Sequence, residues 1–237
     1  MADIEKNLKE IFSEISAGND RGEKIALLGA TKFVPTEKIN EAVAAGLEYI
    51  GENHAQEFRD KFAFYPPCEK HFIGTLQKNK LKYVVGKADV IDSVSNAEIA
   101  EAINEKAATL GIVQSVMLEI NAGDEKTKTG SSIDTAKALY KSIINLNHLK
   151  LIGIMAMLPA GKTDDELAYL CEKARDFYEE IRLSSPDVKT LSMGMSGDYK
   201  TAIKHGSNMI RLGRTILGER SQHYGILIGE KHANGNF

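Results

Sequence analysis

KIALLGATKFVPTEKINEAVAAGLEYIGE, residues 24–52, passes through one full structural cycle. Its first part, KIALLGATK (24–32), is a short, nearly unbroken apolar run, the pattern of a strand buried on both faces. Pro35 suits the start of a helix, Ile39, Ala42 and Val43 recur on one helical face, and Gly46 ends it. EYIGE (48–52) then reads as a second strand. Strand, helix and strand with brief connections predict a parallel pair joined by a right-handed crossover.

Outward from this stretch the cycle repeats. KHFIG (70–74), DVIDSV (89–94), VQSVMLEIN (113–121), LKLIGIMAM (149–157), TLSM (190–193) and NMIRL (208–212) bring the strands to eight. Helices are expected from about Asn53, from about Gln77, and over the stretch holding Ile99, Ile103, Ala107 and Leu110. Another carries Ile133, Ala136, Leu139, Tyr140 and Ile143, and the next begins at the capping box Thr163-Asp164-Asp165-Glu166. Ser196 is read as the cap of a helix running to Gly206, and a short helical turn follows Arg214. Ahead of the first strand, residues 1–17 form an amphipathic helix with Ile4, Leu8, Ile11, Phe12 and Ile15 on one face. The fold expected is α/β: a single (β/α)8 TIM barrel over residues 1–237, with an additional N-terminal helix and a loose tail at 231–237. A doubly wound open sheet is the alternative, and the count of eight favours the barrel.

A chain of 237 residues with 43% hydrophobic content can bury one core of this size. The formal charge of −3 supplies no general attraction to nucleic acid or to an anionic membrane. No apolar run approaches the roughly 20 residues that span a bilayer. MADIEKNLKEIF lacks the basic-then-apolar order of a signal peptide, so a cytoplasmic protein is expected. Cys68 and Cys171 stand far apart and the histidines are unclustered, which argues against a redox pair or a metal site. A monomer is favoured.

In such barrels the chemistry sits at the C-terminal ends of the strands. Lys32 closes the first strand after an apolar run. A desolvated lysine is biased toward the neutral amine, the nucleophile that forms imines with aldehydes. An ordinary exposed strand-end lysine is the competing reading. The loop after the seventh strand, MGMSGDY (193–199), offers Gly194, Ser196 and Gly197. The loop after the eighth, within RLGRTILG (211–218), offers Gly213, the Arg214 amide and the Thr215 hydroxyl. Backbone amides at helix starts suit an anion, although each loop alone is explained equally by turns and caps. Together they occupy the positions where barrels commonly hold a phosphate. An imine-forming amine facing a phosphate cradle calls for a ligand with both an aldehyde and a phosphate, which fits pyridoxal phosphate or a sugar-phosphate aldehyde. Arg211, at the end of the eighth strand, would oppose protonation of a pyridine nitrogen beside it. A rim salt bridge would also account for it.

Several blocks in order carry a resemblance to a known family. LLGATK (27–32), YIGENHAQE (49–57), HFIGTLQKNK (71–80), NAGDEKTKTG (121–130), GIMAM (153–157), LSMGMSGDY (191–199) and IRLGRTILG (210–218) resemble the YggS/PROSC family of pyridoxal phosphate homeostasis proteins. Its fold matches the N-terminal barrel of alanine racemase. The resemblance implies a Schiff base from Lys32, phosphate contacts from Ser196, Gly197, Gly213 and Thr215, Arg211 near the pyridine nitrogen and Asn53 near the ring. It also implies storage or delivery of the cofactor without catalytic turnover, with apoenzymes that use the cofactor as transient clients. Gly29-Ala30-Thr31, Lys70 and Leu217 depart from the family's usual residues, beside the contacts and not on them.

Other residues weighed are His71, read as a hydrogen-bonded core histidine, and Gln77, Asn79 and Lys80, read as a pocket mouth or a solvated helix. Met155, Met157, Met193 and Met195 read as pliable packing at the barrel top. Lys126 and Lys128 are a solvated loop or a second acceptor for the cofactor. The rival functions are a pyridoxal phosphate-dependent racemase, which needs acid–base groups on both faces of its substrate carbon, and a cofactor-free Schiff-base aldolase.

Overall fold

The computed structural model describes residues 3–123 and 130–219. Eight strands follow one another around a closed barrel: β1 (Ala26–Ala30), β2 (Tyr49–Glu52), β3 (Glu69–Phe72), β4 (Val90–Val94), β5 (Gln114–Asn121), β6 (Leu149–Met157), β7 (Thr190–Met193) and β8 (Met209–Leu212). Every pairing is parallel, and β8 returns to β1 through Leu28 opposite Arg211 and Gly29 opposite Leu212. The (β/α)8 expectation holds, and the open sheet is excluded because β1 pairs with β8 and closes the ring, leaving none of the described strands with a free edge.

The helices are α1 (Ile4–Ile15), α2 (Thr36–Ala44), α3 (Ala55–Lys61), α4 (Leu81–Val84), α5 (Ala97–Leu110), α6 (Ile133–Ile143), α7 (Asp164–Ser184), α8 (Tyr199–Lys204) and α9 (Arg214–Leu217). The main core lies between the strands and the ring of helices, where Phe58, Phe72, Ile91, Ile103, Leu118, Ile154, Phe177 and Leu191 pack. Asp3 starts α1 by accepting a hydrogen bond from Lys6 N at 3.0 Å. Ile4, Leu8, Ile11 and Ile15 of α1 are buried against Ile39 and Leu47 on one side and Ile216 and Leu217 on the other. This extra helix closes the seam beside β8 and β1, where the chain begins and completes its barrel. Thr163 and Glu166 form the capping box of α7 reciprocally.

Three boundaries differ from the sequence reading. Ser196 caps no helix, because Asp198 N and Tyr199 N both close a turn onto Met195 O and α8 starts only at Tyr199. Asn53 precedes α3, whose preceding residue is His54. The helix expected from Gln77 is a 3₁₀ turn at Lys78–Lys80 running into the four-residue α4, and Gly86 at φ 77° turns the chain away. Lys126, Lys128 and the tail 231–237 lie outside the described residues.

The barrel interior is charged as well as apolar. His71 is 1% exposed, with Nδ1 2.8 Å from Asp92 Oδ1 and Nε2 3.2 Å from Glu69 Oε1. Burial alone would depress this imidazole, but the carboxylates of Asp92 and Glu69 outweigh it and push the group up to about 9. His71 is thus a paired core cation.

Candidate functional site

Residues from the C-terminal ends of β1, β2, β3, β6, β7 and β8 line one cleft of about 320 Å³: Ala30, Lys32, Asn53, Ile73, Met157, Met195, Ser196, Gly197, Arg211, Gly213 and Arg214. Lys32, Asn53, Ser196, Gly197, Arg211, Gly213 and Arg214, all read from the sequence, stand in this wall, whereas Gly194, Thr215, Gln77, Asn79 and Lys80 do not line it. Thr215 is tied to it, since its hydroxyl lies 2.9 Å from Ser196 Oγ and joins the two loops. A more open hollow of about 600 Å³ beside Glu23, Tyr178 and Arg182 presents no comparable set of amine and amide donors.

Each side of the cleft is built differently. On the loop side, Ser196, Gly197, Arg214 and Thr215 are exposed. The Ser196 and Gly197 amides have no hydrogen-bond partner among the described residues, and Arg214 and Thr215 supply the first two amides of α9, which a helix leaves unpaired. Asp198 accepts from Met195 N at 2.5 Å and so shapes the loop without consuming those donors. Two glycines in this loop serve different needs. Gly194 sits at φ 102°, and a Cβ there would meet Ala202 Cβ and Tyr199 Cα at 2.8 Å, so the fold itself demands glycine. Gly197 has an ordinary φ and nothing within 4 Å of a would-be Cβ. Its lack of a side chain leaves room for a ligand beside a donor amide.

On the floor, Arg211 is 5% exposed, and both of its terminal nitrogens are engaged. One terminal nitrogen donates to Ser192 O at 2.8 Å and Ser192 Oγ at 2.9 Å, and the other to Ala156 O at 3.1 Å and Met157 Sδ at 3.4 Å. Burial pulls this guanidinium below its ordinary value while Asp92, Asp198 and Glu119 hold it up. A guanidinium stays protonated in proteins even so. Arg211 is therefore a fixed cation locked against the cleft, not the rim salt bridge that the sequence allowed.

Asn53 faces the same space with Oδ1 buried and without a hydrogen-bond partner among the described residues. An orphaned buried amide oxygen costs about 1–3 kcal/mol unless something supplies a donor. Its backbone is pressed against Gly74, where a Cβ would stand 1.9 Å from Asn53 O. Gly74 is thus a positioning residue that the sequence reading did not single out, as are Ser192 and Ala156 behind Arg211. Met157 and Met195 line the cleft, whereas Met155 and Met193 are buried. The arrangement gathers an amine, exposed amides and hydroxyl groups, a buried guanidinium and an unsatisfied acceptor around one cleft.

A parallel barrel with this lysine and these loops defines a class, the alanine racemase N-terminal barrel, and residues 32–221 match the family model described as the alanine racemase N-terminal domain. A solved alanine racemase of Clostridium difficile 630 shares the fold with a TM-score of 0.77 at 15% identity, over 90% of this chain and 59% of that one. A nearer relative is the pyridoxal phosphate homeostasis protein of Aquifex aeolicus, 38% identical over 84% of this chain and 90% of that protein. PipY of Synechococcus elongatus PCC7942, solved with PLP bound, superposes with a TM-score of 0.79 at 28% identity over 91% of this chain and 100% of that one. The chain belongs to the pyridoxal phosphate homeostasis protein family.

Proposed function

We propose that this protein binds pyridoxal 5′-phosphate through Lys32 and serves intracellular vitamin B6 homeostasis, holding the cofactor and releasing it to apoenzymes that need it. The observation that carries this reading is the single cleft in which Lys32, the paired loops after β7 and β8, Arg211 and Asn53 all meet. When bound, the cofactor supplies an aldehyde that combines reversibly with an amine. Ser196, Gly197, Gly213, Arg214 and Thr215 hold its phosphate by amides, hydroxyl groups and positive charge. Arg211, unable to give up its proton, would keep a pyridine nitrogen beside it unprotonated and so blunt the ring as an electron sink. Asn53 accepts a hydrogen bond beside the ring through its buried oxygen.

The same features favour storage over turnover. Racemisation requires acid–base groups on both faces of the substrate carbon. Among the described residues lining the cleft, Lys32 is the one side chain with a proton to exchange besides two arginines and a serine. The fixed Arg211 further discourages carbanion chemistry. A PLP-dependent racemase is the second reading, favoured only by the shared barrel.

Two measurements on dialysed protein test the proposal. Wild-type protein loaded with cofactor is expected to absorb in the visible and, after borohydride, to carry the cofactor's mass on the peptide containing Lys32. Lys32→Ala is expected to lose that label completely. Wild-type protein that never becomes labelled would overturn the covalent role, and steady turnover of a free amino acid would overturn the storage role.

A further inference from the structure

Beneath Lys32 lies a group of charged side chains that the cleft does not use. Thr31, Glu52, Glu57 and Lys61 are each no more than 2% exposed. From α3, Lys61 Nζ donates to Glu57 Oε1 at 2.5 Å, to Glu52 Oε2 at 3.1 Å and to Thr31 O at 3.1 Å. Thr31 Oγ1 lies 3.2 Å from Glu52 Oε2, and Tyr65 OH reaches the same oxygen at 3.4 Å. Glu52 Oε1 accepts from Asn53 N at 3.1 Å, and Glu57 Oε1 accepts from Phe33 N at 2.8 Å.

These contacts bracket the cleft's amine. The residue before Lys32 is held through its carbonyl, and the residue after it through its amide. Phe33 stands at φ 59°, the one non-glycine residue in the left-handed region among those described. A bulky residue holds that conformation only where its surroundings impose it, and the Glu57 carboxylate supplies the tether. Stability alone gives little reason for such a cluster, because buried ion pairs are commonly worth no more than apolar packing of equal volume. Here the cost is raised further: Glu57 Oε2 is buried with no hydrogen-bond partner among the described residues.

We propose that Lys61, Glu57 and Glu52 form a positioning cluster that fixes the backbone on both sides of Lys32, and of Asn53 beside it, so that the amine meets the aldehyde in a reactive pose. The proposal rests on the covalent role of Lys32 given above. Burial pushes the Glu52 carboxyl up to about 7 in spite of Lys61, and the negative charge of Glu57 adds to the rise. The groups facing that carboxyl are Lys61 and Glu57 from α3, Thr31 after β1 and Tyr65 before β3, so the cluster's charge changes near neutral pH.

The test uses the full chain with Lys61→Met and Glu57→Gln, and two ligands that differ at one group. Pyridoxal phosphate reports covalent capture, by stopped-flow visible absorbance and by borohydride labelling of the Lys32 peptide. Pyridoxamine phosphate, which has the ring and phosphate but no aldehyde, reports non-covalent binding. A positioning role is expected to slow capture by about tenfold or more while pyridoxamine phosphate affinity stays within about twofold. It is also expected to move the pH midpoint of capture by about half a unit or more. Unchanged capture rate and midpoint in a folded variant would overturn it, as would an equal loss of both ligands. Should Lys61→Met fail to fold, Glu57→Met takes the place of Glu57→Gln: it removes the acceptor of Phe33 N at similar side-chain size and decides the matter. Failure of the underlying reading is distinguishable, because the wild type itself would then remain unlabelled on Lys32.

Discussion

The two sides of the cleft are built by opposite means. The lysine side is set in buried side-chain chemistry, with Thr31, Glu52, Glu57 and Lys61 sealed from water. The loop side is exposed backbone at Ser196, Gly197, Arg214 and Thr215, with one hydroxyl–hydroxyl contact linking its halves. Under the proposed function, the difference follows from what each side would recognise. A phosphate is met by several weak donors from many directions, and exposed amides supply these while leaving it open to exchange. An amine acts at one atom along one approach, so its position must be imposed by a rigid frame. On the proposed function, a holder that must also let go gains from rigidity at the lysine and openness at the loops.

Substitutions on each side break or sharpen that contrast. The largest stability effect is expected from Lys61→Ala, which leaves Glu52 and Glu57 buried without their shared cation. A loss of about 3–5 kcal/mol in denaturant unfolding is expected, and a loss below 1 kcal/mol would show that water screens the cluster.

His71 asks whether the lysine side is unusual or whether any buried charge in this barrel carries comparable weight. Its proton is held up to about 9 against an ordinary 6.5. Below pH 6.5 folded and unfolded chains both carry it, and the pairing with Asp92 contributes in full. Between the two values the unfolded chain releases the proton first, so stability falls as pH rises, by about 3 kcal/mol in total. His71→Asn is expected to flatten the unfolding free energy over that window. An equal slope in the variant would refute the pairing.

On the loop side the effects are expected in ligand affinity, with little change in stability. Gly197→Ala introduces a methyl into space that the protein leaves empty. Its melting temperature is expected to stay within about 1–2 °C while pyridoxamine phosphate binding, followed by calorimetry, weakens by about tenfold, equivalent to about 1.4 kcal/mol. The smallest effect is expected from Thr215→Val, which removes the 2.9 Å contact with Ser196 and one hydroxyl donor. A loss of about 0.5–1 kcal/mol in the same titration is expected. A larger loss for Thr215→Val than for Gly197→Ala would mean that the hydroxyl groups, not the amides, carry the anion site.

Much of this was legible in the chain. The strands appear as apolar runs because each is covered on both faces, and the turns between them carry glycine, proline or capping residues. Lys32 and the two loops stand out because a barrel places strand ends at one mouth, so order along the chain becomes proximity in space. Other features have no such signal. Glu57 and Lys61 are an i,i+4 pair of the kind that normally decorates a solvated helix face, yet α3 turns that face inward under β1. Ser196 looks like a cap by composition, but the turn closed on Met195 delays the helix and frees its hydroxyl for Thr215. Gly74 resembles any strand-end glycine until the Asn53 carbonyl is found where its side chain would stand.

The sequence by itself determined the alternation of strand and helix, the barrel it implies and the strand ends that carry the cleft, because burial leaves a periodic record in apolar residues. Only the tertiary structure decided which charges face each other. Arg211 on Ser192 and Ala156, His71 on Asp92, and Lys61 on Glu52 are all contacts across elements. Their partners are chosen by the rotation of each strand and helix about its own axis, and a linear pattern of charges does not encode that rotation.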